Sequence, residues 1–550
     1  MDEVSLDALV IGAGFGGLYQ LHLLRDRLGL ETRVVEAAEG VGGTWWWNRY
    51  PGARCDSESH SYQYFFSREI HEAWEWSERY PGHGEIRDYL EFVAERLELK
   101  RDIDFSRRVA SAKWDGARWR VVCEDGARYA ATFFVTAIGC LSNANVPDIP
   151  GLDEFEGEWV HTGRWPHEGV DFAGKRVGQI GTGSTGIQAA PVIAAEAAHL
   201  TVFQRTANYS APARNRPLMA EEKAAFRDDY DGLRALTRST PNGHPFRISS
   251  QKAFDVSDAE RAAIYDNAWE VGGLRFRANF QDLLADKAAN DTAADYIKGR
   301  IREVVEDPAR AAILSDIDHP FAAKRPPIDT RYFETFNRDN VDLVDLRAEP
   351  IKRITASGVR TAAGDYPLDC IVFATGFDAM TGALLAIDIE AEGRTVRDVW
   401  AEGPKTFLGM GVAGFPNLFT VTGPGNPSVL CNMPVCIEQA VEWIADCIGW
   451  CRENGVARIA PTAAAAEDWV AHVNEAADAT LLPTVKHSWY LGANIPGKPR
   501  VFMPYAGGMV RYRGICDRVA AEGYAGYEID GEARPAPAFT LENTAEFVGV

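Results

Sequence analysis

Leu6-Asp7-Ala8-Leu9-Val10-Ile11 runs directly into Gly12-Ala13-Gly14-Phe15-Gly16-Gly17, and Leu18, Leu21, Leu24 and Leu28 follow at helical spacing. A short apolar strand, a Gly-x-Gly-x-x-Gly turn and a helix, in that order, are the context the dinucleotide-binding fingerprint requires. Gly12 makes the turn, Gly14 lets a pyrophosphate approach the backbone, and Gly17 lets helix and strand pack closely. The phosphate then meets unpaired N–H groups at the helix N-terminus. The next strand, Thr32-Arg33-Val34-Val35, ends at Glu36, an acid placed to accept hydrogen bonds from ribose hydroxyls.

The pattern recurs. Arg176-Val177-Gly178-Gln179-Ile180 leads into Gly181-Thr182-Gly183-Ser184-Thr185-Gly186 and a helix, and the following strand, Leu200-Thr201-Val202-Phe203-Gln204, ends at Arg205. Arg205 follows its first glycine at the same spacing as Glu36 follows Gly12, with the opposite charge. An acid repels a 2′-phosphate, whereas an arginine beside Thr206 can bind one. The first unit is therefore expected to hold FAD and the second NADPH. Phe133 to Gly139 and Cys370 to Gly376 are similar apolar strands ending in glycine turns, a repeat at the level of whole units.

The 550 residues exceed a single hydrophobic core. With 57 basic and 79 acidic side chains, the net charge of −22 argues against nucleic-acid binding through phosphate neutralisation. No apolar run is long enough for a bilayer span, and the acidic Met1-Asp2-Glu3 start lacks a signal-peptide pattern. Nine scattered cysteines form no Cys-x-x-Cys pair, so neither a metal site nor a dithiol centre is expected. These readings suit a reduced cytoplasmic protein. The fold expected is α/β, with two Rossmann-like dinucleotide-binding domains (FAD and NADP) and a helical insertion. Residues 1–141 and 385–530 form the first domain, 152–208 and 331–384 the second, 209–330 the insertion, and 531–550 a loosely attached tail. The insertion is read as lacking strand alternation, with helical spacing over Ala259 to Val271 and Tyr296 to Val305.

Between the two units, Phe155-Glu156-Gly157-Glu158-Trp159-Val160-His161-Thr162-Gly163-Arg164-Trp165-Pro166 resembles the F-x-G-x-x-x-H-x-x-x-W-P fingerprint of type I Baeyer–Villiger monooxygenases. Gly42 to Asp56 resembles that family's other motif, and the likeness runs on through Lys324-Arg325, Asn337 to Val341, Ala374 to Asp378 and Ser488 to Asn494. For such a family the resemblance implies reduction of FAD by NADPH, reaction with O2 to a flavin C4a-peroxide, and attack on a ketone that rearranges to an ester or lactone. Sulfoxidation is an implied side activity.

The same resemblance implies roles for particular residues. Arg325 matches the essential active-site arginine, and Asp56 the acid that positions it beside the flavin. Trp45 matches a flavin contact, with Thr44, Tyr62, the Val109 backbone and Met433 lining the flavin or its adenine. Arg205, Thr206 and Lys324 match positions near the 2′-phosphate, and Arg54 the nicotinamide side. Trp489 lies in a Gly-, Asn- and Pro-rich loop, Ser488 to Pro499, that resembles a lid over NADP. Trp46 and Trp47 read as packing, and His161 as a structural histidine coupling domain motion. The Gly423 to Met433 loop resembles the longer form of phenylacetone and steroid monooxygenases, so Ser428, Val429, Leu430 and Met433 are expected to border a pocket for bulky cyclic or aryl ketones. Among the alternatives, a disulfide reductase needs a cysteine pair that is absent, and a non-catalytic redox sensor does not require Lys324-Arg325. A monooxygenase of nitrogen and sulfur centres, or an uncoupled NADPH oxidase, stands as the second reading. A monomer is expected.

Overall fold

The computed structural model describes residues 3–541. Strand Val4–Ile11 lies parallel between Thr32–Val35 and Arg128–Thr136, with Ile103–Asp104 beyond the former and Leu418–Thr420 running beside the end of the latter. An antiparallel layer, Val109–Trp114 with Trp119–Cys123, extends the sheet towards Asp388–Ala391 and Arg394–Thr395. A second sheet is wholly parallel, in the order Val341–Asp345, His199–Gln204, Arg176–Ile180, Cys370–Phe373, Glu158–His161. Its central strands are buried on both faces, which is why Cys370-Ile371-Val372-Phe373 is a continuous apolar run without alternation.

The two glycine turns are built alike. Gly12 and Gly181 sit at φ +98° and +110°, in the region that side chains disfavour. A Cβ on Gly17 would stand 1.7 Å from the carbonyl oxygen of Gly12, and one on Gly186 would stand 2.3 Å from that of Gly181. Any side chain there would drive the helix off its strand. The long helix Met433–Glu453 packs on helix Phe15–His22, and its cysteines Cys436, Cys447 and Cys451 are buried, Cys436 with its sulfur bonded to Asn426 and Ser428.

One expectation gains a detail and one needs correction. The segment between the halves of the second sheet holds helices Ala220–Asp228, Tyr230–Ser239, Asp258–Val271, Lys287–Val304 and Pro308–Ser315, but its neck is a small parallel pair, Ala211–Pro212 with Ile328–Asp329. Two residues per strand are too few to show alternation. The tail is also not loose over residues 531–541. Glu532–Ala533 pairs with Tyr527–Ile529, Arg534 donates to the Gly523 carbonyl, and Phe539 packs edge-on against Trp469 at 5.3 Å. An apolar anchor within a Pro/Ala-rich stretch carries no periodicity to reveal it; residues 542–550 lie outside the described residues. Among the described residues, no helix is long and apolar enough to cross a membrane.

Candidate active site

Glu36 ends its strand beside the first glycine loop. One carboxylate oxygen accepts from Ala13 N (2.6 Å) and the other from Ala38 N (2.7 Å). Burial raises its pKa even so, against those two N–H groups. Each oxygen keeps a lone pair for a hydroxyl. Helix Phe15–His22 starts at Gly14 with no capping side chain and no acid in its first turn, so its first N–H groups are left for an anion. Gly14 abuts Gly43, and a Cβ on it would meet the Gly43 Cα at 3.3 Å. The adjoining turn Thr44–Trp47 carries Trp45, whose Nε1 donates to the Tyr62 hydroxyl at 3.2 Å. Thr44 is exposed, Val109 is buried at the start of its strand, and Met433 is half-buried at the start of its helix.

The second cradle is similar. Helix Ser184–Glu196 begins at Gly183, again uncapped and without a first-turn acid, and nothing lies within 4 Å of a Cβ built on Gly183. Thr182 Oγ1 donates to the Thr206 carbonyl at 2.9 Å, tying the loop to Arg205-Thr206, and Asn208 Nδ2 donates to the Thr182 carbonyl at 2.7 Å. Burial lowers the Lys324 ammonium pKa, Asp318 works against that shift, and the nearby Arg205 adds to it. Among the described residues no carboxylate is ion-paired to either cation, so a dianion between them would relieve their repulsion.

The two cradles are joined by the Arg49 to Asp56 stretch. Tyr50 donates to Gln188 Oε1 at 2.7 Å, Gln188 Nε2 donates to the Arg54 carbonyl at 3.1 Å, and a Cβ on Gly52 would stand 2.4 Å from the Gln188 carbonyl oxygen. Arg54 is half-buried, donating to Glu78 at 3.2 Å and to the Tyr80 carbonyl at 2.8 Å.

Arg325 stands where these elements meet. Its Nε and Nη2 engage both oxygens of Asp56 (2.5 and 2.9 Å), and Nη1 donates to the carbonyls of Val429 (2.9 Å) and Cys431 (3.1 Å). Burial opposes its charge, but Asp56 more than compensates and holds its pKa well above the usual value. The expected pair is thus assembled, and Ser428–Leu430 is brought to the same guanidinium. Ser428 lies at φ +43° with its hydroxyl buried and unpartnered, a strained backbone of the kind concentrated at functional sites. The residue that sequence reasoning passed over is Tyr490, whose hydroxyl accepts the Arg325 backbone N–H at 3.0 Å. Its only signal was adjacency to Trp489, which packs edge-on against it at 4.5 Å. The Ser488 to Pro499 loop is fastened by Asn494 Nδ2 to the Phe377 carbonyl (2.8 Å) and Lys498 to Asp378 (2.5 Å).

His161 is buried. Its Nδ1 accepts from Gly163 N at 3.0 Å, its ring faces Phe377, and burial, helped by Arg164, lowers its pKa to about 4. Trp165 and Pro166 line a cavity of about 220 Å³ with Trp45, Arg49 and Arg87. Trp46 packs over Gly40 and beside His167, and Trp47 is half-buried.

The flavin-binding monooxygenase-like family model matches residues 7–211. Over 530 residues the chain is 44% identical to a Baeyer–Villiger monooxygenase of Pseudooceanicola batsensis, covering 94% of this chain and 95% of that one. It is 43% identical to cyclohexanone 1,2-monooxygenase of Acinetobacter sp, over 96% of this chain and 97% of the relative. The chain belongs to the Baeyer–Villiger monooxygenases. Among solved structures, oxidised steroid monooxygenase bound to NADP superposes with a TM-score of 0.91 at 50% identity, over 96% and 99% of the two chains. This Baeyer–Villiger monooxygenase is an FAD- and NADPH-dependent enzyme with two Rossmann-like domains. Its residues fit both groups: two uncapped helix N-termini behind glycine turns for the pyrophosphates, Glu36 for a ribose, and Arg205 and Lys324, without an ion-paired carboxylate among the described residues, for a 2′-phosphate.

Proposed function

We propose that the enzyme uses O2 and NADPH to convert bulky cyclic or aryl ketones into esters or lactones, with sulfoxidation as a side activity. Bound FAD supplies the redox chemistry, accepting hydride from NADPH and activating oxygen. The observation that carries this reading is the Arg325 guanidinium, fixed by Asp56 and by two backbone carbonyls of the Ser428 to Cys431 turn. A permanently protonated guanidinium fixed in this way stabilises, by its field rather than by a free N–H, negative charge as it develops on an attacked carbonyl oxygen. Asp56 holds that donor in orientation, Trp489 and Tyr490 keep water from it, and Ser428, Val429, Leu430 and Met433 shape the ketone pocket. Trp45, Thr44, Tyr62, Val109 and Met433 surround the flavin. Arg54, Thr182 to Gly186, Arg205, Thr206 and Lys324 hold the nicotinamide nucleotide. We assign residues 1–141 and 385–530 to the FAD domain, 152–208 and 331–384 to the NADP domain and 209–330 to a helical cap, in a cytoplasmic monomer.

The test is NADPH consumption and product mass with FAD-loaded protein across a ketone panel. Ketone-dependent products one oxygen heavier, identified as esters or lactones, are expected. Hydrogen peroxide as the sole product from every ketone would overturn the proposal, and activity confined to small linear ketones would overturn its substrate range.

A further inference from the structure

The 3-10 turn Gly273–Ala278 descends from helix Asp258–Val271 of the insertion and carries Arg275 and Arg277. Arg275 is matched: its guanidinium meets buried Glu58 at 2.9 and 3.1 Å. Arg277 is not. Its Nε and Nη2 are buried without a hydrogen-bond partner, and among the described residues no carboxylate forms an ion pair with it. Its charged and polar neighbours are those of the active site: Arg325, Asp56, the Tyr490 hydroxyl and Cys431. Arg277 keeps some accessible surface, as Arg325 does.

Charge at this place does not balance. Asp56 commits both oxygens to Arg325. His244, buried beside both arginines with its Nε2 also unpartnered, is held neutral because burial, and then the arginine charges, lower its pKa. Burial and Arg325 lower the Arg277 pKa only to about 10, so it stays cationic at neutral pH. Two guanidinium groups therefore share one carboxylate. Burying an unpaired charge is expensive, and planar donors of this kind match a carboxylate in two-point contact.

We propose that Arg277 is a specificity-determining residue that receives a carboxylate carried by the ketone, making the preferred substrates bulky cyclic or aryl oxo acids; this rests on the ketone oxidation proposed above. A neutral ketone leaves the guanidinium unpaired, and sites built around a buried polar group discriminate strongly against ligands that leave it so.

The experiment compares kcat/KM of the FAD-loaded enzyme on two matched pairs: 2-oxocyclohexylacetate with its methyl ester, and 4-(2-oxopropyl)benzoate with its methyl ester. The acid is expected to exceed the ester by at least about tenfold in one pair or both. Arg277→Met should lower that ratio at least about tenfold, chiefly through KM, while Arg277→Lys retains part of it. The preferred acid should also raise the thermal midpoint of wild-type holoenzyme but not that of Arg277→Met. Turnover of the esters with no preference for the acids, or an unchanged ratio in Arg277→Met, overturns the Arg277 assignment alone. Absence of oxygenated product from every ketone overturns the ketone reading instead, and the thermal shift then still decides whether Arg277 holds the acid.

Discussion

Arg325 spends its donors on Asp56 and on the Val429 and Cys431 carbonyls at the same time, a geometry that only a planar fork satisfies. Arg325→Lys is therefore expected to lose ester formation almost as completely as Arg325→Ala, by about a hundredfold or more in kcat. A lysine variant with near wild-type turnover in the product assay would contradict this. At the other cradle, Arg205→Ala removes one of the two cations we assign to the 2′-phosphate. The NADPH over NADH preference in kcat/KM should fall about ten- to a hundredfold, the range of a charged hydrogen bond. Both expectations start from single letters in a glycine-turn register, which is why they were legible early. Tyr490, Arg277 and Glu58 were not, because their importance lies in contacts with residues far away in the chain.

At the scale of elements, the insertion is pinned to the loop that carries Asp56. Glu58, buried, accepts from Arg79 at 2.7 Å and from Arg275 at 2.9 Å. Burial alone would raise its pKa, but Arg275, with His60 and Arg79, brings it down to about 2. Glu58→Ala leaves two cations without their counter-charge and is expected to cost about 3–5 kcal/mol in denaturant unfolding. The stabilisation in the wild type is fully present above the unfolded value of 4.5 and is lost as pH falls towards 2. The lid behaves differently. Lys498→Ala frees one of its fastenings to the Phe377 to Ala379 strip, so hydrogen exchange over residues 488–499 should quicken and the fraction of NADPH diverted to hydrogen peroxide should rise. Helix spacing made the insertion legible. The two-residue strands at its neck and the anchor at Phe539 were invisible because neither is periodic.

For the whole molecule, buried imidazoles set the acid limit. Burial lowers the pKa of His60, His161 and His472 to about 4, and that of His244 well below its usual value. Between pH 6.5 and 4.5 the unfolded chain takes up protons that these folded sites refuse, so stability falls as pH falls. Burial raises Glu438 to about 8 and Asp329 to about 6, and these act in the opposite sense over the same window. Burial likewise lowers His71, His83 and His319 and raises Glu36 and Glu85, so among the described residues seven imidazoles outweigh four carboxyls. The thermal midpoint of the holoenzyme should therefore drop from pH 6.5 to pH 4.5, and a flat profile would refute this.

The Gln188 clasp has a further consequence. It grips the chain two residues before Asp56 and does so from the helix to which we assign the nicotinamide nucleotide. Asp56 and that helix thus behave as two ends of one short lever. A nucleotide that shifts the helix also re-aims the carboxylate, and with it the guanidinium that Asp56 holds. On that assignment, loading with reductant and readiness for chemistry would be mechanically geared together, and loosening the clasp would let each drift without the other.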